Sequence, residues 1–112
     1  MIISKELLSE VLNISIIKVA KSHKNNNVSY WIINNNCKTN INIYELANRV
    51  KLWMNNNKHG FNICYRDDWW DRLESRVEVD LYNSRKVYGA DTEPEAIFKA
   101  GEWVLEQLKE NK

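Results

Sequence analysis

The chain has 112 residues, 44% hydrophobic and 28% charged, with a formal net charge of +1. That length suits one core and a single domain, 1–112, without the metal or disulfide help that shorter chains need. No apolar run approaches the roughly 18 residues of a helical membrane span, and two cysteines, Cys37 and Cys64, are too few for a disulfide framework.

In chain order, Ser4 is placed to cap a short helix, 5–12, whose Leu7, Leu8, Val11 and Leu12 share one face. The β-branched run 14–22 predicts a strand. Residues 23–27, ending in an asparagine triplet, predict a turn, and 28–33 the hairpin partner. Asn42 and Glu45 form a capping pair. Apolar residues then recur at Ile43, Leu46, Ala47, Val50, Trp53 and Met54, which predicts a helix over 43–54. Residues 61–66 and 76–82 alternate. Phe61, Ile63, Tyr65, Val77, Val79 and Leu81 are expected inward, and Cys64, Arg66, Glu78 and Asp80 outward, with Arg66 facing Glu78 or Asp80. The final helix starts at Thr92, with Pro94 in its first turn and Glu95 completing a capping box. Its stripe of Ile97, Ala100, Gly101, Val104, Leu105 and Leu108 faces a core. The order is then α-β-β-α-β-β-α. It describes an α+β fold: an antiparallel sheet with two long amphipathic helices packed on one face and the first helix over part of the other.

Charge is unevenly spread. Residues 1–65 hold eight Lys/Arg against three Glu, and residues 66–112 hold eight against twelve Asp/Glu. Consecutive elements of a small domain pack together, so the halves are expected to interleave in one sheet and their charges to pair.

The segment ADTEPEAIFKAGEWVLEQL, 90–108, resembles the Ala-x-Thr-x-Pro-Glu-Ala entry to the C-terminal helix of small phage- and prophage-encoded proteins described as a phage α/β/α sandwich. NIYELANRV (42–50) and GFNICY (60–65) sit in comparable places. The likeness covers about the last 70 residues loosely. It implies a phage origin and a fold, and no catalytic residue. With too few cysteines for a disulfide framework and no signal-peptide-like apolar segment in MIISKELLSE, the expected location is the cytoplasm of a bacterial host.

The oddest stretch is YRDDWWDRLE, 65–74. A tryptophan flanked by arginine has the composition of a binding hot spot. Trp69, Trp70, Asp67, Asp68, Asp71, Arg72 and Arg76 are therefore the expected partner-binding surface. The partner would be a host or phage protein or ribonucleoprotein, held stoichiometrically in the manner of an anti-CRISPR-type inhibitor and without a cofactor. The bland reading is a solvated connection whose acids pair with Arg66, Arg72 and Arg76. One alternative is a nucleic-acid module in which Lys18, Lys21 and Lys24 contact phosphate and Trp31 stacks on bases. A second is a metal-dependent enzyme using the acids within 67–80, although VEVD (77–80) lacks the lysine of a nuclease Asp/Glu-x-Lys. A third is self-association through exposed aromatics. His23, His59, Cys37 and Cys64 show no zinc-ligand spacing, and there is no nucleophile elbow or phosphate loop. A binding protein rather than an enzyme is expected.

Overall fold

The structure, a computed structural model, describes residues 3–24, 27–35, 37–56, 63–68, 74–81 and 84–110. Helix α1 (Lys5–Leu12) forms because Ser4 stays extended and its side chain accepts the Leu7 N–H, while Asn13 closes the other end in the left-handed region at φ 56°. Asparagine tolerates that backbone better than most residues. Strands β1 (Lys18–Lys24), β2 (Asn27–Ile33) and β3 (Lys38–Asn42) follow. Then come α2 (Ile43–Asn56), β4 (Ile63–Asp68), β5 (Glu74–Leu81), β6 (Ser84–Ala90) and α3 (Glu93–Glu110).

The α+β class stands, and the order is α-β-β-β-α-β-β-β-α. Two strands join the expected order α-β-β-α-β-β-α. β3 is polar at four of its five positions and shows the core only Ile41, so it lacks the apolar signature of a strand. β6 carries Gly89 and two basic residues, which hides it in the same way. Asn34 makes the β2–β3 turn: its Oδ1 accepts the Cys37 N–H at 2.8 Å, and its own N–H donates to the Cys37 carbonyl at 3.1 Å.

The strands form two antiparallel sheets rather than one: sheet A, ordered β1-β2-β3, and sheet B, ordered β4-β5-β6. Among the described residues each strand pairs only with a sequence neighbour, so the two halves of the chain do not interleave in one sheet. The charges of the two halves therefore do not pair across the strands of one sheet, although Lys21 of β1 does reach Glu95 of α3. In sheet B, Ile63 lies opposite Val79 and Tyr65 opposite Val77, as the alternation implied. Arg66 lies opposite Arg76, not Glu78 or Asp80, because the hairpin's register puts Cys64 against Glu78.

All three helices share one layer over the sheets, and the molecule is only 17 Å through its shortest axis. α2 lies on β2 and β3, α3 lies on β5 and β6, and α2 and α3 pack together. α1, expected on the second face, packs instead on α2 and α3, because Leu7 and Leu8 have an apolar site there. One core joins the halves: Tyr30 and Ile32 from sheet A, Val79 and Ala90 from sheet B, and Leu46, Val50, Phe98 and Val104 from the long helices. α3 is buried beyond its predicted stripe, at Ala96, Phe98 and Trp103 as well. A helix flanked by sheet and by two other helices buries most of its circumference. Gly101 permits that approach, since a Cβ there would lie 2.8 Å from Val50 Cγ1. Among the described residues no helix is long and apolar enough to cross a membrane.

Candidate functional site

Residues that pair directly across antiparallel strands share a face. In sheet A the register pairs Lys18 with Ile33 and Lys38, Ala20 with Trp31 and Asn40, Ser22 with Ser29 and Asn42, and Lys24 with Asn27. These rungs make one face. Val19, Val28, Tyr30, Ile32 and Ile41 make the other, which packs on the core. No described element covers the first face. Lys18, Lys24, Asn27, Lys38, Asn40 and Asn42 are exposed on it, and Trp31 is half-buried at its centre.

This open face contains three lysines and no acid. Lys38 Nζ stands 4.8 Å from the centroid of the Trp31 ring, a cation–π contact. Asn40 Nδ2 donates to Ser29 Oγ at 2.9 Å, and these two residues line a shallow basin of about 370 Å³ with Lys24, Asn27 and Asn42. Asn42 also caps α2, its Oδ1 accepting the Tyr44 N–H at 2.9 Å. On the β1 side the indole has only the methyl group of Ala20 across from it. Asn40 occupies the same rung on β3.

Lys18, Lys24 and Trp31, proposed from the sequence as a nucleic-acid set, thus come together on one face. Lys21 does not join them. It lies opposite Tyr30 on the helix-facing side and reaches Glu95 of α3, with Nζ 3.9 Å from Oε1. Tyr30 itself is fully buried, edge-on to Phe98 with centroids 5.9 Å apart. Burial, and secondarily the nearby Glu95 charge, raises the pKa of its hydroxyl. Ser29, Lys38, Asn40 and Asn42 were missed from sequence. The signal was present as the alternation of Lys38, Asn40 and Asn42 in KTNIN, but it needed the segment to be read as a strand.

The expected partner-binding set is divided. Asp67 and Asp68 end β4, and Arg76 lies in β5, with Asp68 in register opposite Glu74 and Asp67 opposite Ser75. Trp69, Trp70, Asp71 and Arg72 lie outside the described residues. Among the described residues no three His, Cys, Asp or Glu side chains come together as metal ligands would. The register of sheet B pairs Arg66 with Arg76, Asp68 with Glu74 and Asp80 with Arg85, so its strands carry charges of both signs. Among the described residues, the open face of sheet A carries no acid. No family model, curated protein or solved structure matches this chain.

Proposed function

We propose that the protein is a small, non-catalytic, phage-type binding protein of the bacterial cytoplasm, and that its working surface is the open face of sheet A, which takes a nucleic acid. The observation that carries this reading is the grouping of Lys18, Lys24 and Lys38 around Trp31 on a face with no carboxylate. A net charge of +1 gives little overall attraction for a polyanion. The local field of three lysines separated from the acids of the second half does give attraction, because each phosphate neutralised releases counterions. The rival reading is stoichiometric capture of a host or phage protein by the 65–76 segment. It draws on Trp69 and Trp70, outside the described residues, so the open face carries the conclusion.

The test is fluorescence anisotropy with labelled DNA and RNA, titrated from about 50 to about 200 mM salt. Binding should weaken with a log–log slope of about −2, the value for three phosphate contacts to a single strand. The triple variant Lys18→Glu/Lys24→Glu/Lys38→Glu should abolish binding. Absence of binding by the wild-type protein at low salt, or undiminished binding by that variant, would overturn the proposal.

A further inference from the structure

We infer that the occupant of this face is single-stranded, with an unpaired base stacked on Trp31 and its edge read by the Ser29–Asn40–Asn42 basin; the inference rests on the nucleic-acid reading above. Three features of the face point this way. The aromatic stands at the centre of a flat three-stranded surface, and a base can reach an indole ring only when it is free of its own stack, as in single strands. A duplex hides its base faces, and reading its major groove takes an inserted helix or two-stranded ribbon. Sheet A presents a three-stranded face whose middle strand carries Trp31.

The rungs beside Trp31 are graded for such a ligand. Ala20 and Ser22 on β1 are small and leave room beside the ring, while Ser29 on β2 and Asn40 and Asn42 on β3 supply hydroxyl and amide groups that both donate and accept. Lysines stand at both ends, Lys18 and Lys38 on one terminal rung and Lys24 on the other. The distance between those rungs is about 20 Å at the usual strand rise, so a backbone of a few nucleotides is anchored at its two ends while its bases meet the middle. Lys38 has a place in both states. Its ammonium lies over the Trp31 ring in the free protein, and it yields that ring face to the base by turning to the adjoining phosphate.

The experiment compares oligo-dT and oligo-U of about ten nucleotides, a length within the usual site sizes, with a duplex of the same length at fixed salt. It uses wild-type protein and Trp31→Ala. Both single strands, or one of them, should bind at least tenfold more tightly than the duplex; the better of the two identifies the sugar the face takes. Trp31→Ala should weaken single-strand binding by roughly tenfold or more while leaving the salt slope unchanged. The strand preference of the wild-type protein is a separate reading should Trp31→Ala fail to fold. Equal or tighter duplex binding, or a folded Trp31→Ala that binds normally, would overturn the inference and leave a phosphate-binding face intact. Absence of binding to every probe would instead remove the reading on which it rests.

Discussion

Replacing Gly101 by alanine measures how closely α3 sits against the other helices. The added Cβ would lie 2.8 Å from Val50 Cγ1 and 3.2 Å from Leu7 Cδ2. Carbon pairs are at their optimum near 3.5–4.0 Å, so the first contact is strongly repulsive and the second mildly so. Leu7 meets the new atom with the tip of its side chain, which can move. Val50 meets it with a methyl group on a β-branched residue that has one favoured rotamer in a helix and is fully buried in α2. Relief therefore requires α2 and α3 to separate. Overpacking of this kind costs about 1–3 kcal/mol, and removing a mid-helix glycine returns about 1 kcal/mol. The expected net loss is about 1 kcal/mol, or about 4 °C in Tm for a domain of this size. Urea and thermal unfolding would measure it. Combining Gly101→Ala with Val50→Ala should cost less than the sum of the single changes, since the second deletes the atom that the first collides with. A rise in Tm for Gly101→Ala alone would show slack between the helices and refute the reasoning.

Three further predictions concern other parts of the molecule. Lys21→Ala should leave the salt slope of nucleic-acid binding unchanged, whereas Lys18→Ala, Lys24→Ala and Lys38→Ala should each lower its magnitude by about 0.7. A Lys21 effect as large as the others would put the binding face on the wrong side of the sheet. Ser4→Ala removes both the cap of α1 and a 2.6 Å hydrogen bond from Ser4 Oγ to Glu102 Oε1. It should cost about 1–2 kcal/mol in chemical denaturation, and a neutral result would mean that neither the cap nor the bond to Glu102 contributes to stability. Tyr30 and Tyr88 have pKa values raised above 10.0, in both cases by burial first and then by a nearby glutamate, Glu95 or Glu106. Their protons are held more tightly folded than unfolded, so their contribution is complete below about pH 10 and is lost as pH rises from there through the folded values. Unfolding free energy measured from pH 9 upward should fall beyond about pH 10, with a shallower fall in Tyr30→Phe; identical profiles would sink the assignment to Tyr30.

The helices were the legible part of the fold because their ends carry chemistry that needs no tertiary context. Ser4, Asn42 and Thr92 each bond the first turn that follows them. β3 and β6 were illegible because a strand with one wet face and few inward residues looks like a loop. The candidate site shows the same division. Lys18, Lys21 and Lys24 are three apart, a helical spacing. In a strand the period is two, so Lys18 and Lys24 share a face and Lys21 cannot join them. That separation could be read from the sequence once the segment was taken as a strand. The approach of Lys38 to Trp31 could not, because it depends on the cross-strand register of a third strand.

The local pairing within each sheet also sets the order of assembly. Even the widest cross-strand pair, Ile63 with Val79, is closed by a single hairpin, so both sheets can form early and at little entropic cost. α3 is different. It must find β5 and β6, α2, and an α1 cap whose contact with Glu102 spans 98 residues. Until it docks, the apolar side of Val79 lacks its helical cover, and Tyr30 lacks the Phe98 ring that packs edge-on against it. α3 is thus the latch of the folding reaction. Weakening its buried face should produce a chain with both hairpin systems formed and their sticky sides exposed, a species prone to aggregate rather than an evenly loosened protein.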